Sequence, residues 1–409
     1  MNTRPIAPEG FRRTLEVAEI QGLYGPFIFT ERLLQKIWLR GEFDTARAVT
    51  TCGRPLQVLQ PGRWNPLGGP DFLNARLRLS GADLAGDVEL HLHASDWAAH
   101  AHSGDRAYDR VVLHVVLFPP SPDAQACRVD GAAIPTLVLL PLLLHDLEEY
   151  AAEDAVEALT NRADWRAIEE LARRPVEDVH AILVSHAEQR WRQKVSFALR
   201  RITRLGWAEA GHHAALEILG YRFNRTPMLK IAARAPLRDW SGDSIDREVL
   251  FTTEASAWSL QGVRPANHPR VRLRQYAQWV AVCPNWPEAL ERLGRQLPET
   301  PFEGSTPVVR KLVRFSDWRA RFARDLTGGV MVGTRLDNLI CDGFVPLLAA
   351  ETGRNLHPLW HHWYAGDLPR RLATSLKALG LCSPRTQPLC HGLGQGLLGW
   401  MLARETRAH

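Results

Sequence analysis

Residues 1–26 are expected to be irregular. The next residues have the pattern of an amphipathic helix. Thr30 is a good N-cap residue and Gly41 stands where such a helix would end, so a helix is predicted over residues 30–40. Glu31 lies on the same side as the apolar positions, and a carboxylate beside a buried stripe needs a partner. The apolar positions, at helical spacing, are Leu33, Leu34, Ile37 and Trp38.

Short segments with strand character follow this helix. Strands are predicted at residues 56–59, 72–79, 87–93, 111–117 and 134–140. The second and third alternate between apolar and polar positions, whereas the fourth is almost wholly apolar, which is typical of a central strand. Residues 95–110 are expected to form a helical turn and a loop. The expected order is one helix, three strands, a short helix or loop, and one or two further strands.

Helical periodicity predominates in the rest of the chain. Helices are predicted at residues 153–172, 175–205, 208–219, 270–282, 286–293, 337–351, 369–379 and 393–404. A length of 409 residues favours two domains. We therefore expect an α+β protein with a mixed first domain at 1–150 and a mostly α-helical, arginine-rich second domain at 151–409.

Composition excludes several classes of protein. Hydrophobic residues make up 45% of the chain and charged residues 23%, which is typical of a folded globular protein and not of a disordered chain, a collagen or a coiled coil. The longest apolar run, 134–144, is about half a membrane span and contains two prolines. The first ten residues have no apolar signal-peptide core, so a cytoplasmic location is expected. The six cysteines are scattered without a CxxC pair, and Cys382 and Cys390 alone make no metal site, so reduced thiols are expected.

Charge is unevenly distributed between the two predicted domains. Residues 1–150 contain 14 Lys and Arg against 18 Asp and Glu, a net charge of −4, whereas residues 151–409 contain 36 against 27, a net charge of +9. This asymmetry favours a polyanion partner for the second domain, and the densest basic stretch could follow a nucleic-acid backbone. A solvated helix face with internal salt bridges remains the alternative. The residues of this stretch are Arg264, Asn267, Arg270, Arg272 and Arg274.

Ionisable side chains concentrate around the second and third predicted strands. In the third strand, Asp87, Glu89, His91 and His93 share one face, because side chains alternate with a period of two. Four ionisable groups opposite apolar residues form either a solvent face or a site. Asp71 begins the preceding strand, and a turn at 80–85 would bring it near His91 or beyond.

Two carboxylates and an imidazole in this arrangement fit metal-dependent phosphodiester cleavage. Asp71 and Glu89 are predicted to hold Mg²⁺ or Mn²⁺ through their oxygens, with His91 as a further ligand or as the group that orients or deprotonates the attacking water. An imidazole favours Mn²⁺ over Mg²⁺ to some extent. Glu31 is predicted to support these ligands from the helix.

These residues resemble two known families. Pro70-Asp71 followed by Glu89-x-His91, in a helix–strand–strand–strand order, resembles the PD-(D/E)xK nuclease superfamily, with His91 where a lysine is usual. This resemblance implies a restriction-endonuclease-like αβββαβ core and metal-dependent nuclease activity. The chain also resembles a bacterial family called domain of unknown function 2851, which carries no established activity. The matching stretches are residues 31–38, 61–65, 69–76, 86–93, 95–97, 100–102, 109, 113–116, 264–269 and 394–397.

Further polar residues near the predicted site are candidates for the same chemistry. His100, His102 and Asp109 lie in the expected loop and could hold a second metal or a phosphate, whereas His114 lies in an apolar strand, where a core histidine is the simpler interpretation. Asp87 is either a second acid or the polar start of its strand.

Three interpretations follow. The first is a Mg²⁺- or Mn²⁺-dependent nuclease (a hydrolase) acting on DNA or RNA, and the second is a nucleic-acid-binding or scaffold protein with a degenerate nuclease core. The third, a cupin-like mononuclear metalloenzyme with His91 and His93 as ligands, is disfavoured because no glutamate follows before Glu148.

Overall fold

The chain forms two compact units in a computed structural model, Met1–Ala151 and Ala152–His409. The structure describes residues 17–407 except 23–24, 67, 122–123, 145–146, 148, 152–164, 222–223, 242–244, 256, 261–262, 264, 369 and 384–386. The first unit contains the described strands of the protein together with helices, and the second unit is mainly α-helical. The predicted α+β class is therefore confirmed.

The described part of the first unit includes eight strands and the α-helices α1 and α2. They are β1 (Val17–Gly22), β2 (Gly25–Thr30), α1 (Glu31–Arg40), β3 (Leu56–Gln60), β4 (Arg63–Trp64), β5 (Phe72–Leu79), β6 (Ala82–His91), α2 (Asp96–Ala99), β7 (Val111–Val116) and β8 (Thr136–Val138). Strands β1 and β2 pair as an antiparallel hairpin. The expectation of an irregular segment at 1–26 is thus wrong for the hairpin residues that the structure describes.

Helix α1 forms where the sequence predicted it. The Thr30 hydroxyl accepts a hydrogen bond from the Leu33 N–H, and Gly41 ends the helix in the left-handed conformation, with φ 58°. All four residues of the apolar stripe are buried. They belong to the hydrophobic core of this unit, which also contains apolar side chains of β5, β6, β7 and β8.

A six-stranded mixed sheet forms the centre of the first unit. Its main path runs β3-β5-β6-β7-β8, and β4 also pairs with β5. The pairs β3–β5 and β5–β6 are antiparallel, whereas β6–β7 and β7–β8 are parallel. The β6–β7 connection contains α2 and two 3₁₀ turns, as a parallel crossover requires a long connection.

Helices make up most of the regular structure among the described residues of the second unit. Its α-helices are Trp165–Ala172, Val176–Leu205, Trp207–Leu219, Arg225–Arg234, Leu237–Trp240, Arg247–Thr253, Pro269–Val282, Trp286–Gln296, Thr306–Leu312, Phe315–Arg321, Gly333–Asn338, Val345–Thr352, His357–His362, Arg370–Ala378 and His391–Arg407. The helix predicted at 337–351 is interrupted, because residues Leu339–Phe344 are π-helical. The short helices Thr306–Leu312 and His357–His362 lie outside the predicted ranges; each has a proline in its first turn, a position that a helix tolerates.

Close helix packing is clearest between Val176–Leu205 and His391–Arg407. Gly396 allows the contact, since a Cβ atom there would lie 2.1 Å from the Leu183 carbonyl oxygen. All six cysteines are free. Among the described residues, no helix combines the length and the apolar character needed to cross a membrane.

Candidate functional site

The β5–β6 hairpin brings Asp71 beside Glu89. Ser80 and Gly81 both have positive φ and form a two-residue turn, which is tighter than the 80–85 turn expected from the sequence. A β-bulge then shifts the register, so that Phe72 pairs with Val88. The expectation that Asp71 would lie near His91 or beyond is therefore wrong. The tighter turn and the bulge place Asp71 beside an earlier residue of β6, Glu89. The Asp71 backbone N–H donates to Glu89 Oε2 at 2.9 Å.

The carboxylate of Asp71 is held by two donors. Gln35 Nε2 donates to Asp71 Oδ1 at 2.6 Å, and the Leu90 backbone N–H donates to Asp71 Oδ2 at 3.0 Å. Trp64 Nε1 donates to Gln35 Oε1 at 3.1 Å, which fixes the orientation of the amide because an indole N–H can only donate. Burial raises the pKa of Asp71 to about 7, although both hydrogen bonds favour the charged form.

Gln35 is a site residue that the sequence reasoning missed. It lies on α1 one helical turn after Glu31, the residue predicted to support the carboxylates. Glu31 is half-buried at the start of the same helix. The signal that could have identified Gln35 is its position four residues after Glu31, because residues four apart lie on the same side of a helix.

Four histidines meet at the end of β6. His91 is buried, and its Nδ1 lies 2.9 Å from His114 Nε2 while its Nε2 lies 3.1 Å from His100 Nδ1. Glu89 Oε1 lies 3.6 Å from His91 Nε2 and 3.5 Å from His102 Nε2. One nitrogen from each of His91, His100 and His102 lies within 4.8 Å of the other two.

The loop after α2 positions His100 and His102. Ala101, between them, has φ 57° and ψ 28°, a left-handed conformation that a residue with a Cβ adopts at a cost. His102 stacks on Tyr108 with ring centroids 3.8 Å apart, and Trp97 packs edge-on against His102. These contacts hold His102 in place next to the end of the strand.

His91 and His114, two of the three buried histidines of the cluster, have lowered pKa values that keep them neutral at physiological pH. Burial lowers the pKa of His91 well below its usual value, and the neighbouring imidazoles lower it further. Burial, with a smaller contribution from His102, lowers the pKa of His114 to about 3. Neutral imidazoles retain a nitrogen lone pair, which is the form that binds metal ions.

The other predicted candidates of the first unit lie outside this cluster. Asp87 is buried, but its Oδ1 accepts a hydrogen bond from the Asn74 backbone N–H at 2.9 Å in the bulge. His93 is exposed and stacks on Phe118. Strand β6 ends at His91, so the alternation of side chains along the strand does not extend to His93. Asp109 is exposed at the end of the loop.

The predicted nucleic-acid-binding residues differ in exposure. They are Arg264, Asn267, Arg270, Arg272 and Arg274. Arg264 lies outside the described residues. Arg272 is buried and donates to Asn267 Oδ1, whereas Arg270 forms an ion pair with Glu248 at 3.1 Å and Arg274 is exposed. Arg270 and Arg274 are thus the members with solvent-accessible side chains.

The fold and the cluster define an α+β protein with a histidine- and carboxylate-lined centre in its first unit. The chain belongs to the family described as protein of unknown function (DUF2851), whose sequence model matches residues 31–251. Comparison with curated proteins and with solved structures found no match.

Proposed function

We propose that this protein is a metal-dependent phosphodiesterase, a nuclease that cleaves DNA or RNA. The observation that carries the proposal is the placement of Asp71, Glu89 and His91, with the Asp71 N–H bonded to Glu89 Oε2 and Glu89 Oε1 facing the His91 ring. Two acids and an adjacent imidazole are the groups needed to hold a divalent ion and activate water at a phosphodiester.

The connectivity of the first unit supports kinship with the PD-(D/E)xK nuclease superfamily. Helix α1 is followed by β3, β5 and β6, which pair antiparallel in sequence, then by α2 and by β7, which pairs parallel to β6. Apart from the two-residue β4 between β3 and β5, this order is compatible with the αβββαβ core that the resemblance implies and supports the proposal. Asp71, directly before β5, and Glu89, near the end of β6, are the residues that we propose as the two acids of this resemblance.

The donor set fits a divalent ion. Glu89 Oε1 and His91 Nε2 would hold it, and Asp71 retains free lone pairs because each of its oxygens accepts one hydrogen bond. A bound Mg²⁺ or Mn²⁺ would stabilise charge on the phosphate and lower the pKa of a water molecule. The chain's own residues orient the ligands: Gln35 holds Asp71, and the Asp71 N–H holds Glu89.

Isosteric substitutions test this proposal. The full chain would be stripped of metal, reloaded with Mg²⁺ or Mn²⁺, and incubated with labelled single- and double-stranded DNA and RNA. We expect Glu89→Gln and Asp71→Asn to lower the cleavage rate by at least about a hundredfold, since transition-state charge loses its stabilisation. The matched control is Asp83→Asn, which removes an exposed acid paired with Arg78 at the other end of β6 and leaves cleavage unchanged. Wild-type rates in both site variants would refute the assignment.

A second candidate function is nucleic-acid binding by a core without catalytic activity. One observation favours it: an imidazole stands where the superfamily has lysine, and both oxygens of Asp71 already accept hydrogen bonds from the protein. This candidate predicts binding of labelled nucleic acid, measured by fluorescence anisotropy, that Glu89→Gln leaves intact, with no cleavage in any metal. Since Arg270 and Arg274 are accessible, exchanging both for Ala would then weaken binding and reduce its salt dependence.

A further inference from the structure

We infer that Glu89, His91, His100 and His102 form a single four-ligand site for Zn²⁺, a transition-metal ion and not the Mg²⁺ or Mn²⁺ expected from the two acids. This inference rests on the proposed function only in that it names the ion at the same place. It brings in His100 and His102, which the acid-pair interpretation leaves without a role.

Interatomic distances are the first support. Zinc binds imidazole nitrogen and carboxylate oxygen at about 2.0–2.2 Å, so two ligand atoms of a tetrahedral site lie about 3.3–3.6 Å apart. The corresponding distances here are 3.1 Å from His91 Nε2 to His100 Nδ1, 3.6 Å from Glu89 Oε1 to His91 Nε2, and 3.5 Å from Glu89 Oε1 to His102 Nε2. Three of the six pairs of ligand atoms thus lie at or near the spacing of a tetrahedral site, and one nitrogen of each histidine lies within 4.8 Å of the other two.

Ligand chemistry is the second support. Imidazole favours Zn²⁺ and other late transition metals, whereas Mg²⁺ prefers oxygen ligands and keeps several waters. Three nitrogens and one oxygen therefore suit Zn²⁺ better than Mg²⁺. In the same cluster, two ring nitrogens face each other at 3.1 Å, an arrangement that one shared ion would satisfy at both atoms.

The surroundings of the four ligands are those of a built site. His91 presents Nε2 to the cluster because its Nδ1 is engaged by His114, whose buried ring lies behind it at 2.9 Å. Metal-binding histidines commonly have such a partner on the second nitrogen. The left-handed Ala101 costs conformational energy and lies between His100, which contacts His91, and His102, which contacts Glu89; strain of this kind is concentrated at functional sites.

The site is open on one side. His91 and His102 are buried, whereas His100 is exposed. A catalytic zinc site keeps a position for water or substrate, and a fifth position on the His100 side would provide it. A buried four-ligand site closed on all sides would instead be structural.

Metal analysis tests the inference directly. The full chain would be purified without chelator, equilibrated with Zn²⁺, desalted and analysed by elemental mass spectrometry. We expect one zinc per chain in the wild type and a loss of affinity for His100→Ala larger than the 10–100-fold typical of an outer-shell change. His100 is exposed, so this variant should fold, which circular dichroism checks. The matched control is His93→Ala, which removes an exposed histidine of the same segment and keeps the zinc.

Three results would overturn the inference: a wild-type chain without zinc, a His100→Ala chain that keeps it at wild-type affinity, or a His93→Ala chain that loses it. The Co²⁺-loaded wild type should in addition show the intense visible absorption of a four- or five-coordinate site. Weak absorption of the six-coordinate type would also count against it.

The two proposals fail separately. Zinc bound by the wild type and lost in His100→Ala, without cleavage of any nucleic acid, would support the metal site and remove the nuclease. Mg²⁺-dependent cleavage by a chain that takes up no zinc would support the nuclease and remove the zinc site.

Discussion

The contact between His91 and His114 makes a quantitative prediction about metal binding. His91 offers Nε2 to the proposed ion only if its proton is on Nδ1, where His114 Nε2 lies 2.9 Å away and can accept it. Replacing His114 by Phe keeps an aromatic ring in the buried position but removes the acceptor. The proton of His91 is then free to move to Nε2, the atom that must bind the ion.

The expected loss follows from the hydrogen bond. A buried N–H left without a partner costs about 1–3 kcal/mol. Loss of the outer partner of a metal-binding histidine typically weakens metal affinity about 10–100-fold, which is about 1.4–2.8 kcal/mol. The two ranges overlap, and the full cost applies here because His114 is fully buried. We therefore expect His114→Phe to raise the Kd for Zn²⁺ by about 10–100-fold.

Competition titration of the apo full chain with Zn²⁺ and a chromophoric chelator measures this Kd. His114→Gln is the rescue variant, since its amide oxygen is placed near the position of the imidazole Nε2 and can accept the same hydrogen bond. We expect it to bind within a few-fold of wild type, whereas His93→Ala binds like wild type. Equal affinity of His114→Phe and wild type, with both chains folded, would refute the role given to His114.

Three further predictions concern stability. Ala101→Gly should stabilise the chain by about 0.5–1 kcal/mol in urea unfolding, since it relieves a left-handed residue at the cost of chain entropy; a loss of stability would contradict the strain argument. Gly396→Ala should destabilise it by about 1–3 kcal/mol, because the new Cβ meets the Leu183 carbonyl at 2.1 Å, and unchanged stability would show that the two helices separate easily. Burial lowers the pKa of His212 to about 4, so this side chain is protonated in the unfolded chain at a higher pH than in the folded one, and His212 alone should reduce stability by about 3 kcal/mol as the pH drops from 6.5 to 4. His212→Gln should flatten that part of the pH profile, and an unchanged profile would exclude His212 as its source.

Much of the first unit could be predicted from local sequence. The ends of α1 follow from Thr30 and Gly41, whose capping geometry depends on neighbouring residues alone. Strand β5 was predicted with its observed limits, and β6 was predicted in the right place but displaced, since alternation identifies a strand better than its ends. The hairpin of β1 and β2 was missed because no alternating pattern distinguishes it from a loop.

The convergence of the histidines could not be predicted in the same way. His91 and His114 belong to neighbouring strands, and parallel pairing of β6 with β7 decides that they meet. His100 contacts His91 and His102 contacts Glu89, on either side of a left-handed residue at Ala101, and an alanine gives no sequence signal for that conformation. The histidines could be identified as candidates from the sequence, but their meeting in one cluster depends on tertiary structure.

Asp87 and Glu89 lie on the same strand, but the extra residue of the β-bulge in β5 gives them different roles. Asp87 stabilises the bulge, whereas Glu89 belongs to the candidate site. They share a face of β6 and are both buried, so alternation alone treats them alike. The bulge in β5 places two residues, Leu73 and Asn74, opposite Asp87, and its carboxylate accepts the Asn74 N–H that the bulge leaves unpaired. The same extra residue shifts Asp71 by one position, to the side of Glu89 instead of Leu90. Because a one-residue slip exchanges the faces of a strand, the bulge and the acid that holds it determine which carboxylates can act together.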